Sequence, residues 1–373
     1  MTVKRILHIP NFYPPHTGGI ETVCHTLVTH MSRYQQRVIC FSGDRNSSRD
    51  IYEGVEVTRA GAFATVASQS LSVSYFLKLK RLISSFDPHI IHFHAPNPLV
   101  SLYLLLVIPR RCKLIVHYHA EICTSKVIYT CYRPIERRLF RRANVIIATS
   151  PKLQTDAAAL GKFQEKCTVV ENVITTDDLN LSPDDEKRIE ELKRRFGNKP
   201  VVLAFGRHVP YKGFKYLIEA DRMIKNDCVV VIGGEGPLTE ELKAMSDSPR
   251  IHFVGRIPDD ELKLYLHAAS VFAFPSITSA EAFGIVLLQA MYCKTPPVTF
   301  TIPASGVNYV NLAGVTGIEV ENGNAAAFAG AVDTLLSDSA MLAEMGNAGR
   351  ERVIRNFTWE SIDAKITGIY DSL

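Results

Sequence analysis

Short, nearly unbroken apolar runs recur along this chain, each followed by a stretch with helical spacing, and the series starts twice. The first series has runs at 5–9, 37–41, 89–94, 113–119 and 144–149; the second has them at 201–205, 229–232, 251–254, 271–274, 297–300 and 317–320. Runs of this kind, apolar at successive positions rather than alternate ones, are strands covered on both faces, as in parallel sheets. Between them, residues 21–31 place Val23, Leu27, Val28 and Met31 at helical spacing, and 186–196 and 215–224 read as further helices. The polar, acidic stretch 175–185 reads as a linker. The expected architecture is therefore α/β, with two Rossmann-like, doubly wound domains facing across a cleft and joined near residue 178. A chain of 373 residues is long enough for both cores.

The remaining composition narrows the setting. The eight cysteines (24, 40, 112, 123, 131, 167, 228 and 293) show no Cys-x-x-Cys and no pairing rhythm, which predicts a reducing compartment. Lys4-Arg5 is followed by no signal-peptide core, and the longest apolar run, 99–108, is too short to span a bilayer. A cytoplasmic location is expected. The formal net charge is +4, but residues 1–175 carry 22 Lys+Arg against 11 Asp+Glu while the rest carries 20 against 27. Many of the basic residues are interleaved with apolar ones, as in 75–83, a face that suits either solvent or an anionic membrane surface. No basic arm or recognition motif accompanies them, so nucleic acid is not an expected partner.

The most informative local stretch is Ser279-Ala280-Glu281-Ala282-Phe283-Gly284-Ile285-Val286-Leu287-Leu288-Gln289-Ala290-Met291. It follows the run 271–274, so Glu281 is expected in a strand-to-helix loop, where open α/β sheets bind ligands. Backbone N–H groups of Phe283, Gly284 and Ile285 at a helix start suit an anion such as phosphate. Gln289, eight residues on, is expected on roughly the same side as Glu281. It reads either as a ligand contact or as a buried amide satisfied by backbone.

Other loops after strands add candidates. Arg207 and Lys212 lie five residues apart between a strand and a helix, one a bidentate fork and the other a point charge, and both can face one anion. Gly233-Gly234-Glu235-Gly236-Pro237 suggests room for a ligand such as a base edge. Gly18-Gly19 opens the first helix after Tyr13-Pro14-Pro15; the loop lacks the Gly-x-Gly-x-x-Gly pattern of nicotinamide dinucleotide sites. His92/His94 and His117/His119 are two His-x-His pairs, each on one strand face. A metal is conceivable there, but no carboxylate-rich partner set accompanies them, and none is assigned. His119, last before a loop, is the best placed for a site. No Asp-x-Asp pair for a metal-bound nucleotide occurs.

Together, in this order and spacing, these residues resemble a family-four retaining glycosyltransferase of the GT-B fold, of the bacterial polysaccharide or O-antigen mannosyltransferase kind. The resemblance covers essentially the whole chain. It implies an N-terminal acceptor domain (1–177), a nucleotide-sugar donor domain (178–356) and a last helix (357–373) that returns to the first domain. It further implies that Arg207 and Lys212 hold the diphosphate, and that Glu281, with backbone around Phe283 and Gly284, binds donor-sugar hydroxyls. By the same resemblance Gly19 lies near the donor phosphate, and His119 is the active-site histidine. At 289 the family usually has Glu; Gln can still bond two ribose hydroxyls, without charge assistance. The implied reaction moves a hexosyl unit, GDP-mannose being the first donor considered and UDP-hexoses and dTDP-rhamnose following. The implied acceptor is a saccharide or polyprenyl-linked saccharide at the inner face of the plasma membrane, reached without metal or other cofactor. A GT-B sugar-nucleotide epimerase and a non-catalytic nucleotide-sugar-binding subunit are the alternatives.

Overall fold

The computed structural model describes every residue except 1–2, 17, 67–68 and 122–125. Cys123 lies outside the described residues; the other seven cysteines are free thiols. The chain divides into two compact units, one running up to Asn172 and completed by Ile362–Leu373, the other Val173–Ser361.

The first unit is built on an eight-stranded sheet. In spatial order its strands are Cys167–Val169, Val145–Ala148, Lys113–Tyr118, Ile90–Ala95, Arg5–Ile9, Gln35–Phe41, Val55–Ala60 and Ser48–Tyr52. All pairs are parallel except the last, a hairpin in which Ser48–Tyr52 runs antiparallel to Val55–Ala60. That hairpin escaped the sequence reading because its half-exposed, charged strands carry no apolar run. The central strands are buried along their length, which is why they read as continuous apolar runs.

The second unit has a six-stranded, fully parallel sheet ordered Ile251–Gly255, Val229–Gly233, Val201–Phe205, Val271–Phe274, Pro297–Phe300 and Ile318–Val320. Its first strand in sequence, Val201–Phe205, lies beside its fourth, Val271–Phe274. The order reverses there, and in open α/β sheets such a switch point is where ligands bind.

The stretch 175–185 is not a loose linker. Leu179 is buried within the short turn Asp177–Leu179, and Ser182 with Asp185 forms a reciprocal capping box on the helix Pro183–Arg195. Lys263 then pairs with Asp185 at 2.7 Å. The last helix, Trp359–Ser372, is anchored to the first unit by polar contacts from its distal half. Tyr34 donates to Asp371 (2.7 Å), Lys4 to the carbonyl of Tyr370 (2.9 Å), and Lys365 pairs with Glu171 (2.7 Å).

Candidate donor site

In the second unit, the loops leaving the two switch-point strands converge. Strand Val201–Phe205 runs into Gly206-Arg207 and then the tight turn Pro210–Lys212; strand Val271–Phe274 runs into the Glu281 loop. The amide of Ile277 donates to the carbonyl of Tyr211 (2.9 Å), lacing the loops together. The result is an ion pair of 2.6 Å between Lys212 Nζ and Glu281 Oε2, whose side chains are only 14% and 11% exposed. Ser276 Oγ donates to the same carboxylate oxygen at 3.1 Å. The ammonium also lies 5.3 Å from the centre of the Phe274 ring. Burial, the largest single influence, pulls the lysine's pKa down, yet the Glu281 carboxylate and Tyr211 together outweigh it and the net shift is upward. The Lys212 ammonium is therefore held, ready-made, in a nearly buried setting.

The Glu281 loop is itself pinned. Ser305 Oγ donates to the Glu281 carbonyl, the amide of Gly306 donates to the carbonyl of Ala282 (2.7 Å), and the Phe283 ring packs edge-on against Phe357. The helix that follows is Ile285–Tyr292, entered through Gly284 at φ 85, a left-handed conformation that suits glycine at this close approach to Phe274. No side chain caps it, and the backbone N–H groups of Phe283, Gly284 and Ile285 meet no protein acceptor among the described residues. A helix start left open in this way can receive an anion.

Glu281 lies in the loop between strand and helix, as expected, so its relation to Gln289 is set by the loop and not by helical period. Gln289 is half-buried, and its side-chain amide bonds to none of the described residues, so it is not a core amide satisfied by backbone. The glycines of 233–237 make room for protein rather than for ligand. A Cβ on Gly234 would lie 2.0 Å from the carbonyl oxygen of Gly206, and one on Gly236 2.5 Å from that of His208. Hydrogen bonds zip the two loops along this line, His208 N–H to Glu235 C=O (3.1 Å) and Leu238 N–H to His208 C=O (3.1 Å). The Arg207 side chain is exposed and makes no hydrogen bond or ion pair among the described residues, while its carbonyl accepts from the amide of Val209 (2.9 Å).

The first unit holds the other candidates. Gly18 is extended (φ 175, ψ 164) and Gly19 starts the helix Gly19–His30. The carboxylate of Glu21 folds back here: it accepts the backbone N–H groups of Phe12 and of Glu21 itself, and burial raises its pKa. A Cβ on Gly18 would lie 2.3 Å from it. The N-terminal position expected to favour a ligand anion is thus shared with the protein's own carboxyl group.

His119 follows strand Lys113–Tyr118, only 4% exposed, with Nε2 3.0 Å from His94 Nδ1. Its ring stacks on His117 at 4.1 Å, and burial pushes its pKa down to about 3. It is therefore a neutral imidazole, able to exchange hydrogen bonds but not to sit charged at neutral pH. The two His-x-His pairs do share a face, joined by a fifth histidine that the sequence reading missed. His8 stands opposite His92 on the neighbouring strand, their rings stacked at 5.2 Å. A lone histidine within a short apolar strand gave no signal until strand order placed it beside the others.

Comparison with known proteins gives the family. The family model "Glycosyl transferases group 1" matches residues 185–352, and "Glycosyltransferase Family 4" matches residues 17–178. The chain is 30% identical over 361 residues to D-rhamnosyltransferase WbpZ of Pseudomonas aeruginosa, covering 95% of this chain and 92% of the relative. It is 26% identical over 375 residues to O-antigen chain mannosyltransferase C of Escherichia coli, covering 99% and 98%. Sucrose-phosphate synthase from Thermosynechococcus elongatus superposes with a TM-score of 0.81 at 20% identity, covering 99% of this chain and 98% of that one. The fold is thus GT-B, and the chain belongs to the family-four glycosyltransferases.

Proposed function

We propose that this glycosyltransferase moves a hexosyl unit, with retention of configuration, from a nucleotide-sugar to a saccharide or polyprenyl-linked saccharide during cell-surface polysaccharide synthesis. The observation that carries the reading is the buried Lys212–Glu281 pair at the switch point, beside a helix start with unpaired N–H groups. Loss of the nucleoside diphosphate puts negative charge on oxygen while the sugar gains oxocarbenium character. Lys212, exposed Arg207 and the N–H groups of Phe283, Gly284 and Ile285 supply fixed positive potential for that leaving group without a metal in the step. Glu281 is freed in part as Lys212 turns to phosphate, and its carboxylate then accepts bonds from sugar hydroxyls. In front-face displacement the acceptor oxygen bonds to the anomeric carbon on the side the phosphate leaves, and the acceptor's proton passes to the departing phosphate oxygen. His119, neutral at working pH, serves by hydrogen bonding and not by donating a stored proton.

GDP-mannose is the first donor to test, in keeping with the mannosyltransferase name of the E. coli relative. Gln289, with its amide uncommitted, is assigned to the ribose hydroxyls. The first unit is assigned to the acceptor, Gly18 and Gly19 to the approach of the donor phosphate, and its basic helices to the inner face of the plasma membrane. Leu77 and Leu106 there are 61% and 67% exposed beside exposed Lys80, Arg81 and Arg110. No helix among the described residues is long and apolar enough to cross a membrane.

A thermal-shift screen with GDP, UDP and dTDP, followed by transfer assays with the matching sugars, tests this reading. Stabilisation by one nucleotide with transfer that needs an added acceptor supports it. Nucleotide release with no acceptor points to an epimerase, and binding without turnover to a non-catalytic subunit.

A further inference from the structure

The histidine face of the first unit holds a feature that glycosyl transfer does not use. His8 Nε2 lies 3.0 Å from Gln36 Oε1, and the Gln36 amide nitrogen donates to the carbonyls of Val28 (2.7 Å) and Met31 (3.1 Å). Those two donations fix which end of the Gln36 amide faces His8. His8 must then carry its proton on Nε2, leaving a bare lone pair on Nδ1. That nitrogen is fully buried and has no partner among the described residues. His94 is in the same condition: Nδ1 is engaged by His119 while Nε2 is buried and unpartnered. A buried polar group left this way destabilises the fold unless something fills its place.

Between these rings lies a third donor. Cys24, fully buried on helix Gly19–His30, is a free thiol, and one donor atom from each of His8, Cys24 and His94 lies within 4.8 Å of the other two. The nitrogens left free on the two rings are His8 Nδ1 and His94 Nε2. Two imidazole nitrogens and a sulfur form a soft donor set suited to zinc or monovalent copper rather than to magnesium or calcium. In a tetrahedral or trigonal arrangement such donors stand about 3.3–4 Å apart at metal–ligand lengths of roughly 2.0–2.3 Å. A small inward rotation of the rings closes the gap.

We propose that His8 Nδ1, Cys24 Sγ and His94 Nε2 form an internal binding site for a thiophilic d10 cation, monovalent copper or zinc(II). Binding breaks the Cys24 S–H bond, releases its proton to solvent and forms the metal–thiolate bond, with no change of oxidation state. One thiolate and two neutral imidazoles balance the single charge of copper(I), whereas zinc(II) leaves one positive charge buried, so charge favours copper. Gln36 supports His8 from outside the set, as ring-orienting partners of ligand histidines do. With the ion on His94 Nε2, the proton of that ring sits on Nδ1 and is donated to His119 Nε2. The ion thereby also sets the tautomer of His119.

The test uses tag-free full-length protein, stripped with chelator and titrated separately with zinc(II) and, anaerobically, with copper(I) against a competing chelator. Bound metal is counted after gel filtration, and X-ray absorption reads the ligand shell. One ion per chain with one sulfur and two nitrogen ligands is the expected result. Cys24→Ser, with its fold checked by circular dichroism, should weaken binding by roughly a hundredfold or more. Cys40→Ser, which alters a neighbouring buried thiol outside the set, should bind as the parent does. The proposal is overturned if neither ion binds, if Cys24→Ser binds undiminished, or if the shell is nitrogen only. A nitrogen-only shell would place the ion on His92, His94 and His117 instead, whose donor atoms also lie within 4.8 Å of one another.

Discussion

The two units bury polar groups by opposite means. In the second, the Glu281 carboxyl group is met by Lys212 and Ser276 at 2.6 and 3.1 Å, and this contact holds the lysine's pKa up against burial. In the first, Glu136 is buried with one carboxyl oxygen unpartnered; burial first, and then Glu121, push its pKa up to about 7. The stacked histidines of the same unit are likewise kept uncharged by burial. Burial lowers His8 to about 4 and His119 to about 3, and drives His92, His94 and His117 well down. One region stores fixed charge where a leaving group would need it, and the other suppresses charge. A donor diphosphate fits the first arrangement and would gain nothing from the second.

Acid should break the comparison most visibly. Each of the five stacked histidines has a folded-state pKa below its ordinary 6.5, so the unfolded chain binds more protons. Their contribution is complete above about pH 6.5 and is lost as pH falls. One pH unit below 6.5 each costs about 1.4 kcal/mol, so five together cost several. In metal-free protein, hydrogen exchange should show the first unit opening between pH 6.5 and 5 before the second. Simultaneous opening of both units would remove the distinction.

Next in size is catalysis. Lys212→Ala and Glu281→Ala should each lower turnover by roughly 10²–10³-fold, as loss of a preorganised charge does. Either purified variant transferring sugar at near-parent rates would sink the donor-site assignment. Both variants leave a partner charge nearly buried, so a fall in melting temperature should accompany the loss.

Glu136 offers the converse. Its raised pKa means that its stability contribution is full below about pH 4.5 and lost as pH rises through 7. Glu136→Gln should therefore stabilise the protein at pH 8 by about 2–3 kcal/mol and do little at pH 5. Equal effects at both pH values would show that the carboxyl group is not neutral in the fold. The smallest change is at Gln289: replacing it with Glu should tighten donor binding by about 1 kcal/mol through charge-assisted bonds to ribose, measured by calorimetry. Unchanged affinity would place the amide away from the nucleotide.

Much of this was legible in the chain. The continuous apolar runs gave the parallel strands, because burial on both faces leaves no polar alternation. The candidate donor residues Arg207, Lys212, Glu281 and Gly284 stood out because each follows such a run at a strand end. Less legible were features that depend on neighbours. The hairpin Ser48–Tyr52 with Val55–Ala60 lacks an apolar signature. The glycines at 234 and 236 looked like room for a base and are filled by the backbone of residues 206–208.

By itself, the sequence determined the alternating architecture, the two sheets and the family, since these rest on local hydrophobic pattern and on motifs read in order. Only the tertiary structure decided which side chains share an environment. It joined Lys212 to Glu281, 69 positions apart in the chain, stacked His8 on His92 and brought Cys24 within reach of His8 and His94. Charge, proton position and ligand affinity follow from distance and burial, and neither is set until strands have taken their places in the sheet.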